Sequence, residues 1–193
     1  MAGFCGQIAT IREKIAELVG PELAAQIMEG QDKIKDSTKP PKVSAWFKEV
    51  LERLDTLVDA DTRARIMSNC GYNCARINHT ALDRAAARRK KYDSFDVFLA
   101  AEQQNPPAGT RLERDGHMLY QFYTPQNFTH PMRCYCSLLR GLPEGETVSL
   151  TYCNCSRGFV EKYWENLLQK PVQVDLLESA VSGAAECKFV IHL

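Results

Sequence analysis

The chain has 193 residues, 45% hydrophobic and 25% charged, the mix of an ordinary globular domain; disordered, collagen-like and coiled-coil classes are excluded. Twenty-four Lys and Arg balance 24 Asp and Glu, so no bulk charge argues for a nucleic-acid partner. No apolar run reaches the ~18 residues of a membrane span, and the start, MAGFCGQIATIREK, lacks a signal peptide's apolar stretch; the expected location is cytoplasmic, with no membrane partner.

The first sixty residues read as helices. Ile8, Ile11, Ile15, Leu18 and Val19 follow helical spacing, Gly20-Pro21 breaks the chain, and a second helix starts at Glu22. Gly30 to Lys42, with Pro40-Pro41, reads as a surface linker. Trp46, Phe47, Val50, Leu51, Leu54, Leu57 and Val58 then form the apolar stripe of a packing helix. Asp61 to Lys91 is again helical, with Asp61 as the expected N-cap. This stretch holds eight basic residues and only Asp61 and Asp83 as acids; its Arg88-Arg89-Lys90-Lys91 run reads as a solvated helix end that the helix dipole favours. A short helix capped by Ser94 follows, carrying Phe95, Val97, Phe98 and Leu99.

After Asn105-Pro-Pro-Ala-Gly109 the pattern changes to strands. Arg111 to Tyr123 reads as a hairpin turning at Asp115-Gly116, with alternation at Met118, Tyr120 and Phe122. Thr124 to Arg133 and Arg140 to Glu146 read as loops. Ser156 is the expected cap of a helix from Arg157 to Gln169, with Phe159, Val160, Tyr163, Trp164, Leu167 and Leu168 inward and Pro171 ending it. Val172–Leu177 and Cys187–Leu193 read as two strands joined through Ser182-Gly183. The fold class is α+β: a helical N-terminal half, then a roughly four-stranded antiparallel sheet with packed helices.

Six of the eight cysteines fall in close pairs, Cys70 with Cys74, Cys134 with Cys136, and Cys153 with Cys155. In a reducing compartment these are thiols, metal ligands or redox groups rather than a disulfide framework. Cys70 and Cys74 share a helix face, and each Cys-x-Cys aims two thiols one way if extended. These six are the candidate metal ligands, for zinc first and an iron–sulfur cluster second. His79, nine residues after Cys70, falls on the far side of a continuous helix from it. Cys155, just before a helix N-terminus and near Arg157, is the candidate nucleophile, with Cys153 beside it as a resolving thiol. Cys5 and Cys187 read as packed small hydrophobes.

TYCNCSRGF from Thr151 to Phe159, PVQVDLLES from Pro171 to Ser179, then Gly183 and ECKFVI from Glu186 to Ile191, resembles the C-terminal half of the four-vinyl-reductase domain. That domain shares a superfamily with the haem-NO-binding and TRAPP-subunit-like folds. RCYC at 133–136 and Cys70-Gly-Tyr-Asn-Cys74-Ala75 extend the resemblance to small bacterial proteins labelled 2-amino-thiazoline-4-carboxylate hydrolase-like. The resemblance implies a helical segment over 1–60 and a four-vinyl-reductase-like domain over 61–193, or one continuous domain, with a four-stranded antiparallel sheet and a cavity for small hydrophobic molecules. It also implies zinc held by an early Cys, an acid and two late Cys. Cys153 and Cys187 match the first and last, whereas Leu176 stands at the acid and Ser179 at the remaining Cys.

The expected function is binding of a small molecule or metal at a site lined by Cys70, Cys74, Cys134, Cys136, Cys153 and Cys155, with Tyr135, Tyr152, Arg157, Trp164 and Phe159 around the ligand. The alternatives are a hydrolase acting on a small sulfur- or nitrogen-containing substrate, through zinc-bound water or Cys155, and a protein-interaction module using the 43–58 helix. A homodimer is compatible with either.

Overall fold

A computed structural model describes residues 3–107, 109–123 and 134–193. The loop expected from Thr124 to Arg133 lies outside them. Within them the order is α1 (Phe4–Val19), α2 (Pro21–Ile27), α3 (Pro40–Leu57), α4 (Ala60–Ile77), α5 (His79–Arg89), α6 (Phe95–Gln104), β1 (Thr110–Asp115), β2 (Met118–Tyr123), α7 (Asn154–Leu168), β3 (Gln173–Glu178) and β4 (Cys187–His192). The fold is α+β, as the periodicities predict. No helix among the described residues is long and apolar enough to cross a membrane.

Local chemistry sets the helix ends. Gly20, at φ 86°, ends α1, and Pro21 starts α2 with a ring already set to a helical φ. Prolines at the first positions likewise start α3 at Pro40, so the last three residues of the expected linker, Pro40 to Lys42, are helical. The cap of α4 is Asp59 rather than Asp61: its carboxylate accepts from the Thr62 N–H at 2.9 Å, while Asp61 lies in the first turn. The helix expected to run to Lys91 divides at Asn78, whose side-chain amide donates to the Cys74 carbonyl at 2.8 Å. Ser94 caps α6 as expected, accepting from Val97 N–H at 3.2 Å. Ser156 caps nothing, because a 3₁₀ turn over Leu150–Cys153, capped by Ser149, runs straight into α7 at Asn154.

The four strands form one antiparallel sheet in the order β1-β2-β4-β3, with Leu119 opposite Ile191 and Val174 opposite Ile191 on its other side. Its face bearing Leu119, Phe189, Ile191 and Val174 packs against Phe98, Val160, Trp164 and Leu167 of the helices, making one core. On the other face, the Arg111 guanidinium lies 3.6 Å from the Phe122 ring centroid. A second core gathers Ile8, Ile11 and Ile15 of α1, the stripe of α3, Ile66, Met67 and Cys70 of α4, and Leu138, Leu139, Tyr152 and Cys153 from the chain between the hairpin and α7. The apolar stripe expected of a packing helix is one: Val43, Trp46, Phe47, Val50, Leu51 and Leu54 are all buried, which leaves the alternative of an interaction surface on the 43–58 helix without its apolar face.

Candidate functional site

The site begins with two glycines. A Cβ on Gly71 of α4 would collide with the Cys155 carbonyl of α7, and one on Gly158 of α7 with the Ser68 carbonyl of α4. The two helices therefore meet backbone to backbone. Glycine inside a helix costs about 1 kcal/mol against alanine, and this contact is what each glycine permits. Gly71 stands in the middle of a helical stretch in the sequence, a signal of close approach, whereas Gly158 falls at the start of its expected helix and gives none. Arg157 fastens the crossing: its guanidinium donates to the Ser68 hydroxyl and to the Val174 carbonyl, and sits 3.6 Å from Glu161.

This crossing sets Cys155, in the first turn of α7, against the face of α4 that carries Cys70 and Cys74. The third contributor is the chain from Cys134 to Leu142. Ser137 donates to Gln7 of α1 at 2.7 Å, the Ser44 hydroxyl of α3 donates to the Leu138 carbonyl at 2.8 Å and accepts from Gly141 N–H at 3.1 Å, and the Tyr135 hydroxyl donates to the Gly109 carbonyl at 2.9 Å. Gly141 lies where any Cβ would strike the Pro40 backbone, so the segment is pressed against the start of α3. So held, Cys134 and Cys136 pack into the same core as Cys70 and Cys155.

Four thiols from three stretches of chain thus share one core, with Cys70 buried in it and Cys134, Cys136 and Cys155 packed against it, while Cys74 lies exposed one helical turn beyond Cys70. The charge of Cys155 is felt against those of Cys70, Cys136, Cys74 and Cys134, and that of Cys70 against Cys136 and Cys74. Tyr152 is buried in the same core, its ring edge-on to Phe47 at 5.4 Å between centroids. Burial pushes every one of these thiols up, Cys70 to about 12 and Cys134 and Cys155 well above the usual thiol range, and neighbouring cysteines push most of them further. At neutral pH the cluster is a set of uncharged sulfhydryls. Cys74 is its exposed member, and Asn78 donates to its sulfur at 3.5 Å.

Cys153 is buried in the same core and acts on Cys134, but its polar contact lies elsewhere. Because residues 150–155 are helical rather than extended, Cys153 and Cys155 point to opposite sides of the turn, not one way as expected for an extended Cys-x-Cys. Cys153 lies 2.7 Å from the Ser179 hydroxyl, on the sheet side, and Cys187 accepts from the neighbouring Ala180 N–H at 3.4 Å. The positions that the resemblance assigns to zinc therefore come together here as two thiols and a hydroxyl, with Leu176 where the acid would stand. That donor set does not fit a four-ligand zinc site. Among the described residues, no three His, Cys, Asp or Glu side chains are arranged to hold a metal ion.

Other expected site residues resolve differently. Cys155 was expected as a thiolate lowered by the helix start and Arg157; burial among other thiols raises it instead, and Arg157 is engaged with Ser68, Val174 and Glu161. Trp164, expected at the ligand, lies in the sheet-side core and donates to Gln121 at 2.7 Å. Tyr135 does border the thiols, packing edge-on to Tyr123 with ring centroids 5.4 Å apart. His79 is exposed at the start of α5, beyond the break at Asn78 that divides the helix expected to be continuous. Sequence reasoning gave no hint of an open surface cleft of about 720 Å³ on the opposite side of α4, where Tyr72, Arg76 and His79 face Lys162, Glu165 and Asn166.

Comparison with known proteins identifies the lineage. Residues 7–193 match a family of unknown function, DUF6144, and the chain belongs to it. No curated protein matches. Among solved structures, the chain is similar to the phenol-responsive sensory domain of the transcription activator PoxR, solved with phenol: 15% identity, 80% of this chain and 74% of that one covered, TM-score 0.42.

Proposed function

We propose that this DUF6144 protein is a small-ligand-binding domain of the four-vinyl-reductase type, with its ligand held at the cluster of Cys70, Cys74, Cys134, Cys136 and Cys155, near Tyr152. The observation that carries this reading is the convergence itself. Isolated cysteines serve cores as small hydrophobes, but packing gives no reason to draw four from α4, α7 and the 134–142 segment to one core. The antiparallel sheet and the meeting of Cys153, Ser179 and Cys187 support the four-vinyl-reductase resemblance.

The chemistry of the cluster selects the ligand. Neutral thiols are soft, polarisable and weak hydrogen-bonding partners, and the Tyr152 hydroxyl beside them is a polar handle. Such a surface suits an uncharged, largely apolar small molecule. It also suits a soft metal ion, zinc included, if the thiols turn inward and release their protons on binding. Cys74, exposed, marks the side from which either would enter.

Native mass spectrometry with elemental analysis, on protein purified without oxygen or chelator, tests this. The expected result is mass above that of the bare chain, organic or metallic, which a Cys70→Ala/Cys155→Ala variant loses. Bare chain from both proteins overturns the reading.

A further inference from the structure

Away from the thiols, three helices border the cleft of about 720 Å³, a volume within the range of small-molecule sites. The C-terminal part of α4 brings Tyr72 and Arg76, α5 brings His79 and Asp83, and α7 with the residues after it brings Lys162, Glu165 and Lys170. Two of its lining residues, Ala75 and Leu82, are apolar and buried, and so form its floor. The walls are tied to one another. The Asn166 amide donates to the Leu82 carbonyl at 3.0 Å, joining α7 to α5, and the Tyr72 hydroxyl donates to Glu161 at 2.8 Å, joining α4 to α7. At the rim Gln169 holds a φ of 54°, the one positive φ among the described non-glycine residues. Glycine is the usual residue for that helix-ending conformation. Here a side chain stands in its place, its amide donating to the Asn166 carbonyl at 2.6 Å.

Charge gives the cleft its sign. Lys162 and Glu165 neutralise each other at 2.6 Å, and the Lys162 ammonium also lies 4.8 Å from the centroid of the Tyr72 ring. Arg76 and Lys170, with His79 beside them, are then set against the single carboxylate of Asp83. The Arg76 side chain bonds the neutral Asn73 amide oxygen at 2.8 Å, and neither it nor Lys170 pairs with a carboxylate among the described residues.

We propose that this cleft is a second ligand site, separate from the thiol cluster, for a small organic anion: a carboxylate or phosphate carried on an apolar body. The head group takes charge-assisted hydrogen bonds from the Arg76 guanidinium and the Lys170 ammonium, and the body covers Ala75 and Leu82. The two sites select opposite chemistry. Uncharged thiols offer an anion no counter-charge, whereas the cleft offers two unpaired cations; an organic cation would meet only Asp83 there.

Titration of the full chain with phenyl phosphate, benzoate and benzylamine, followed by NMR, tests the proposal. Saturable shifts at Arg76, His79, Asn166 and Lys170 are expected with at least one of the two anions. That binding should weaken as salt rises, because exposed charges are screened beyond about 8–10 Å at physiological ionic strength. Arg76→Gln combined with Lys170→Gln, both at exposed positions, should weaken it about ten-fold, the effect of losing two solvent-facing ion pairs, with the melting temperature kept. No saturable shift with either anion, benzylamine binding as tightly as the better anion, shifts confined to the residues around Cys70 and Cys155, or full affinity in the double variant overturns the proposal. None of these readouts depends on the cysteines, so the cleft and the thiol-cluster reading fail separately.

Discussion

Cys153 and Cys155 stand two residues apart and finish in different chemistry. Cys153 turns to the sheet, where Ser179 and the Ala180–Cys187 contact satisfy a closed network of thiol, hydroxyl and N–H. Cys155 turns to α4, where its neighbours are other sulfurs and it has no such network. The first arrangement is what a buried polar group needs in order to be stable. Two residues within one turn thus separate a sulfur with hydrogen-bond partners from one packed among other thiols, and the backbone contact at Gly71 and Gly158 is what holds α4 and α7 together there.

Gly71→Ala attacks that assembly most directly. The added methyl meets the Cys155 carbonyl rather than a side chain that can swing away. The overpacking cost is about 1–3 kcal/mol, offset only in part by the better helix propensity of alanine. The melting temperature should fall by several degrees, and alkylation of Cys70 and Cys155 should accelerate while that of Cys153 changes little. Unchanged melting would mean that the helices cross without needing the glycine.

The two regions share one property that pH exposes. Burial raises both Cys70 and Cys153 from 9 to about 12 in the folded chain. A thiol with a raised folded pKa stabilises the fold fully below its unfolded pKa, and that stability is lost as pH climbs from 9 toward about 12. Within that window each such group steepens the fall of unfolding free energy by up to about 1.4 kcal/mol per pH unit. Chemical denaturation at stepped alkaline pH should therefore give a shallower slope for Cys70→Ala, and for Cys153→Ala, than for the native chain. Parallel slopes would show that these thiols ionise as freely folded as unfolded.

The smallest effect belongs to Ser179→Ala, which strips the hydroxyl partner from Cys153. A lost buried hydrogen bond costs about 1 kcal/mol, read as a small shift in denaturation midpoint, and the thiol cluster on the other side of α7 should keep its alkylation rates. A change in those rates would mean that the two sulfur regions are coupled.

Much of this was legible beforehand. The helical spacing of Ile8, Ile11 and Ile15, the stripe on α3 and the Asp115-Gly116 turn pointed to helices first and antiparallel strands later, as found. Pairing of the cysteines picks out residues that largely share one core: Cys70 and Cys153 are buried in it, and Cys134, Cys136 and Cys155 pack against it. The Cys-x-Cys at 153–155 departs from the extended form expected of it, because Ser149 starts a 3₁₀ turn that makes it helical. Trp164 was misassigned for a similar reason: its helix has two buried faces, and only contact with Gln121 on β2 shows which core it serves. Raised rather than lowered thiol pKa values follow from burial by chain segments distant in sequence, which no local motif reports.

The most direct measurement is the alkylation rate of each cysteine, by mass spectrometry, in protein purified anaerobically and again after its bound species has been stripped by chelator and solvent exchange. If a ligand sits on the cluster, Cys70, Cys74, Cys134, Cys136 and Cys155 should become more reactive together, while Cys153 and Cys187 hold their rates. Rates that stay the same for all seven, or that change for Cys153 and Cys187 alongside the rest, would contradict a ligand held by those five thiols.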